Sequence, residues 1–125
     1  MSVSPPLCAY DDLPMDGALE CRVGDAVWPL RVIVIRRGES IYAYQNRCPH
    51  AGHPLNMRPH EFLDAEHRHL MCRSHGAMFA IETGRCIAGP CVGTNLRPIP
   101  VMLDDGQIRL APGAIPADVD VSTRF

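Results

Sequence analysis

Four residues in two short stretches have the side chains and spacing to hold a transition metal. Cys48-Pro49-His50 sets a thiol and an imidazole one residue apart, and Cys72-Arg73-Ser74-His75 repeats the pairing with two residues between. Thiolate is a soft ligand and imidazole a borderline one, a combination that suits a transition metal. Gly52 and Gly76 stand close behind the two histidines and leave room for backbone to wrap tightly. As ligand chemistry alone, two Cys and two His also satisfy tetrahedral zinc. Zinc fingers, however, usually pair Cys with Cys and His with His, whereas here each loop mixes the two.

The context of the loops narrows the reading. The first continues into Pro54-Leu55, and the second into Gly76 and Phe79. Between Cys48 and Pro90 the chain resembles the Rieske iron–sulfur family, whose pattern is Cys-x-His followed downstream by Cys-x-x-His. The resemblance implies a Rieske-type 2Fe–2S cluster with two Cys on one iron and two His on the other. Carried over residue by residue, Cys48 and Cys72 bind the inner iron, and His50 and His75 the outer one. Gly89-Pro90 looks like the family's proline-containing third loop. The match is specific over this segment and only compatible elsewhere. Zinc on the same four ligands remains the alternative.

Totals set the outer limits. A chain of 125 residues is read as one domain, 1–125, with no room for a second catalytic domain of ordinary size. A net charge of −2 lacks the concentrated basic face that nucleic acid requires. No apolar run approaches a membrane span, and residues 1–12 have neither the basic start nor the apolar stretch of a secretory signal. The expected compartment is the cytoplasm, where thiols stay reduced. Twelve prolines and ten glycines forecast many turns and little helix.

The elements that must position the loops read as strands. Leu7 to Tyr10 is a short apolar run. Ala18 to Val23 alternates, with Leu19, Cys21 and Val23 on one face and Glu20 and Arg22 on the other. Trp28 to Arg36 is apolar and β-branched at its centre, as a strand covered on both faces should be. Arg37-Gly38-Glu39 turns the chain, and Ser40 to Tyr44 returns and delivers it to Cys48. His69 to Arg73 and Ala77 to Glu82 flank the second loop. Arg97 to Leu103 and Gln107 to Leu110 form a hairpin across Asp104-Asp105-Gly106. The linking stretch, Asn56 to Leu70, has no clean period; it reads as a largely solvated excursion anchored by Phe62-Leu63, with His60, His67 and His69 at the surface. Eight to ten short strands make an all-β barrel or sandwich. The resemblance implies a Rieske fold: a base from about 5–45 and 93–112, an inserted cluster-binding lobe at about 46–92, and a tail at 113–125.

The other cysteines and nearby polar residues receive plainer readings. Cys8 and Cys21 are expected to be core thiols without a role. Cys86 and Cys91 bracket the third loop, and without a secretion signal reduced thiols are favoured over a disulfide or redox pair. His53, stiffened by Pro54, is read as a non-ligand, and Ser74 as a turn residue.

The resemblance implies one-electron transfer, with His50 and His75 as the exit for the electron. Respiratory Rieske proteins carry an extra Cys in each loop, joined as a disulfide, and a Ser and a Tyr that hydrogen-bond the cluster sulfurs. Here those positions are His53, Ser74, Ala77 and Phe79, which implies a lower potential. The expected function is a soluble Rieske ferredoxin, with no catalytic residues of its own, carrying electrons from a flavin-dependent reductase to a terminal oxygenase. Alternatives are an accessory subunit of a reductase such as nitrite reductase, a zinc-stabilised interaction module, and an iron–sulfur redox sensor.

Overall fold

The run Val32-Ile33-Val34-Ile35 is the centre of the molecule, and all four side chains are wholly buried. It lies on β3 (Leu30–Arg37), flanked by β2 (Ala18–Val23) and β4 (Ser40–Gln45) in one antiparallel sheet of order β2-β3-β4. Successive side chains of a strand point to opposite faces. Val32 and Val34 therefore enter one core with Leu13, Cys21, Val23, Ile99, Ile108 and Leu110. Ile33 and Ile35 enter a second core with Tyr44, Leu55, Phe62, Leu70 and Phe79. A strand that feeds two cores has to be apolar throughout, as the sequence reading of this segment requires.

The structure, a computed structural model, describes residues 6–23, 30–49, 54–56, 60–72, 76–90 and 92–111. Among them are nine strands, one 3₁₀ turn and no α-helix. The expected all-β class holds. β1 (Pro6–Ala9) pairs with β9 (Gln107–Leu110), and β9 with β8 (Val101–Asp104), in a second sheet that covers the first core. The third sheet is β5 (His69–Met71), β6 (Met78–Ala80) and β7 (Cys86–Ala88), and its buried side chains belong to the second core.

Turn chemistry sets the hairpins. β3 and β4 pair Arg37 with Ser40 across Gly38-Glu39, and Gly38 takes φ 60° at the first turn position, as a type II′ turn demands. β8 and β9 pair Asp104 with Gln107 across Asp105-Gly106, both with positive φ (52° and 76°), which is type I′.

Three elements differ from the sequence reading. The first strand stops at Ala9, because Tyr10 turns into a 3₁₀ turn, Tyr10–Asp12, closed by Leu13 N–H donating to Tyr10 O (3.1 Å); the Tyr10 ring lies under the Arg36 guanidinium (4.4 Å). The expected strand from Arg97 starts only at Val101, since Pro98 and Pro100 cannot donate to a ladder. The excursion 56–70 is less solvated than its composition suggests. Phe62, Leu63 and Asp64 are buried there, and Phe62 O accepts from Met71 N–H (2.7 Å). His60 and His67 are exposed, as expected, but they also tie the excursion down. Glu20 N–H donates to His60 Nδ1 (3.0 Å), His67 Nδ1 meets Asp16 O (3.1 Å), and Arg37 Nη1 donates to His67 O (2.9 Å). Trp28 lies outside the described residues.

Candidate metal centre

Strand β4 ends at Gln45 and the first loop begins at once. Gln45 N–H donates to Arg97 O (2.9 Å) and Asn46 N–H to Arg31 O (2.8 Å), so the loop leaves from a fixed point. Two residues on, Cys48 is wholly buried among Leu55, Phe62 and Phe79. The second loop begins where β5 ends. Cys72, also wholly buried in that core, donates its N–H to Ala77 O (2.8 Å), and its carbonyl accepts from Gly76 N–H (2.9 Å). Those two bonds hold the two ends of the loop together. Gly76 completes it at φ 74°, a conformation that costs a non-glycine residue energy.

A third loop presses on the second. Gly89 takes φ 95°, and a Cβ there would stand 2.7 Å from Ala77 Cα, so only glycine lets the two backbones approach. Below, Tyr44 of β4 links the sheets: its hydroxyl donates to Ile81 O (2.5 Å), and its ring closely fills the space beside Gly84. Burial pushes the Tyr44 phenol up to about 12, with Glu82 and Tyr42 adding to the shift.

The residue that fixes the first loop is Asn46, buried at 4 % exposure and not singled out by sequence. Its Oδ1 accepts from Leu55 N–H (2.8 Å), and its Nδ2 donates to Asn56 Oδ1 (2.9 Å) and to Glu20 Oε2 (2.6 Å). One side chain thus joins both ends of the loop that carries Cys48. Glu20 Oε2 also accepts from Arg31 Nε (2.6 Å), and the Glu20 side chain is only 8 % exposed. Burial alone would raise the Glu20 carboxyl, but the Arg31 and Asn46 hydrogen bonds and the nearby Arg31 and Arg22 charges outweigh it and hold the group below its ordinary value. On the far side, Asp64 accepts from Arg68 N–H (2.8 Å) and His69 N–H (3.2 Å) and pairs with the His69 ring (3.1 Å), shaping the approach to β5.

Of the four expected ligands, Cys48 and Cys72 share one core, while His50 and His75 lie outside the described residues, as do His53, Ser74 and Cys91. Ala77 and Phe79 are fully buried and bring no hydroxyl to the loop. The Cys86 thiol donates to Ala88 O (3.2 Å). Two dry sulfurs presented by two short loops fit a thiolate-bound metal cluster.

The Rieske [2Fe-2S] domain model matches residues 4–110, which spans the base strands and both loops. The chain belongs to the Rieske family. Among solved structures, the Rieske chain is similar to the ferredoxin of carbazole 1,9a-dioxygenase from Nocardioides aromaticivorans IC177: 31% identity, TM-score 0.67, covering 89% of this chain and 99% of that one. It shares its fold with the Sphingomonas yanoikuyae B1 ferredoxin (20% identity, TM-score 0.62, 86% and 96% covered). The fold also matches the terminal oxygenase of carbazole 1,9a-dioxygenase from Nocardioides aromaticivorans IC177 (19%, TM-score 0.68), but there it covers 84% of this chain and only 29% of that one. A search of curated protein sequences gives no match. The cofactor of this Rieske ferredoxin is accordingly a Rieske-type 2Fe–2S cluster, and its role is electron transfer within an oxidoreductase system. No helix among the described residues is long and apolar enough to cross a membrane.

Proposed function

We propose that this Rieske ferredoxin carries single electrons from a flavin-dependent reductase to a terminal oxygenase, in the cytoplasm. The chain acts as one domain, its cluster lobe at about 46–92 inserted in a base formed by about 5–45 and 93–112. Cys48 and Cys72 hold the inner iron, and His50 and His75 the outer one. The observation that carries this reading is the pair Cys48 and Cys72, both wholly buried in one apolar core at the heads of two short loops. When bound, the cluster supplies one-electron oxidation and reduction.

The chain's own residues supply the rest. Leu55, Phe62 and Phe79 keep water from the two sulfurs. Asn46 and the Cys72–Ala77 turn hold the loops in place without needing to move when an electron arrives. A rigid, dry setting of this kind lowers the reorganisation that accompanies a change of charge. In this reading His50 and His75, as ligands of the outer iron, pass the electron to the partner, and weak, transient docking serves turnover.

Visible absorption and EPR of the purified protein, before and after dithionite, test the centre. A red-brown oxidised form with a reduced-state EPR signal of low average g supports the assignment; a colourless protein with one bound zinc overturns it. Reduction by a flavin-dependent reductase, followed by reoxidation with a ring-hydroxylating oxygenase, tests the place in the chain. A reduced protein that no such oxygenase reoxidises would overturn that part alone.

A further inference from the structure

A cleft of about 620 Å³ opens between the turn that precedes β2 and the excursion at 60–67. Met15 and Leu19 line one side, and His60, Phe62 and His67 the other. No residue of the two cluster loops lines it. Phe62 is wholly buried behind it, whereas Met15 stands 63 % exposed at the rim and belongs to neither core. A cleft of this size, with apolar walls and a few fixed polar groups, is the usual form of a small-molecule site.

The fixed polar groups are the two histidines, whose ring protons are placed by backbone bonds. Glu20 N–H donates to His60 Nδ1 (3.0 Å), so that nitrogen offers a lone pair and the neutral ring carries its proton on Nε2. Asp16 O can only accept, so His67 Nδ1, 3.1 Å away, carries the proton and the neutral ring keeps its lone pair on Nε2. Neither Nε2 has a partner among the described residues. The cleft is thus lined by one ring with a donor to spare and one with an acceptor to spare. The rim is also held in costly backbone conformations. Among the described residues, four other than glycine take positive φ, and Asp16 (52°), His60 (62°) and His67 (57°) all stand here. Strain of this kind gathers at ligand clamps. Glu61 and Asp64 line the cleft as well, and no Lys or Arg does, a balance that disfavours an anion.

We propose that this cleft is a binding site for an uncharged aromatic hydroxyl compound. Its ring lies against Leu19, Met15 and Phe62, where thioether and ring contacts favour an aromatic body. A hydroxyl both accepts and donates, so it answers His60 Nε2–H and His67 Nε2 alike. A bare hydrocarbon answers neither, and a carboxylate answers only His60 while meeting the charge of Glu61.

Equilibrium dialysis of the full-length protein, as purified, at pH 7 against 2-naphthol, naphthalene and 2-naphthoate tests the site with three probes of nearly one shape. The expected result is one 2-naphthol per chain, held about tenfold more tightly than either of the others, the worth of one net hydrogen bond. His67→Phe, with far-UV circular dichroism confirming its fold, should lose that advantage and bind naphthalene as wild type does. Absence of saturable 2-naphthol binding by the wild type would overturn the proposal, and so would equal binding of the three probes. A folded His67→Phe that binds 2-naphthol like wild type would overturn the placement of the site. The wild-type comparison decides the matter whether or not the variant folds. No electron transfer is read, so the outcome is independent of which metal centre the protein holds.

Discussion

Asn46 shows how much one side chain can do beside a ligand loop. It satisfies a buried N–H, a buried carboxylate and a second amide, so removing it leaves several polar groups unpaired at once. Each such orphan costs about 1–3 kcal/mol. Asn46→Ala should therefore lower stability by at least about 2 kcal/mol and speed loss of visible absorption during incubation with a chelator. Asn46→Asp keeps the shape and the acceptor for Leu55 but sets a second carboxylate against Glu20 Oε2, where the amide donates at 2.6 Å. At neutral pH it should be at least as damaging as Ala, and an Asp variant that holds its absorption like wild type would refute this account. The four proposed ligands, Cys48, His50, Cys72 and His75, stand out in the sequence because their spacing is short and local. Asn46 is not, since its partners Glu20 and Arg31 lie far off in the chain and only the register of β2 with β3 brings them alongside. Glu20 shows the same limit: its place in an alternating strand reads as outward-facing, but outward from the first core is inward toward the second. The hydroxyl-free pair Ala77 and Phe79, both buried, gives a prediction of its own. The midpoint potential should lie near the low end of the Rieske range, about −150 mV; protein-film voltammetry returning a value well above zero would contradict it.

Among the elements, the strands and hairpin turns were the most readable and the loops between them the least. The β-branched run of β3 and the Gly38 and Asp105-Gly106 turns follow from local chemistry. The excursion 56–70 does not: its polar composition says loop, but Phe62, Asp64, His60 and His67 pin it by contacts with residues distant in sequence. Gly89 is a contact between elements that composition alone cannot reveal. With φ 95° and Ala77 Cα 2.7 Å from where a Cβ would sit, Gly89→Ala must push the third loop off the second or strain both. The expected cost is about 1–3 kcal/mol from backbone conformation alone. Circular dichroism melting should show the loss, and absorption bleaching in air should speed up with it. A variant that melts and bleaches like wild type would mean that the two loops are not in this close contact.

For the molecule as a whole, the Glu20 network ties β2, β3 and the first loop together, so its charge state bears on global stability. The Glu20 carboxyl, with an ordinary value of 4.5, sits lower in the folded protein. A group whose folded value is depressed stabilises the fold above its unfolded value and loses that contribution as pH falls through the folded one. Asp64, lowered from 3.8 by the Arg68 and His69 hydrogen bonds against the effect of burial, has the same sign. Thermal midpoints should hold above about pH 5 and fall steadily below it. Glu20→Gln should start lower at neutral pH and fall less steeply, and a variant with the wild-type slope would show that Glu20 is not the sensor. Both cores draw on β3, so the loops and the base should unfold in one transition rather than two.

The pairing of β1 with β9 has a consequence for how the protein is made. During synthesis β1 leaves the ribosome early and finds no partner until Gln107–Leu110 has followed about a hundred residues later. Cys48 and Cys72 emerge in that interval, while the base that supports their loops is still open. The core that encloses Cys48 and Cys72 takes its last buried residue from Leu96, so both cysteines leave the ribosome before their dry setting can close around them.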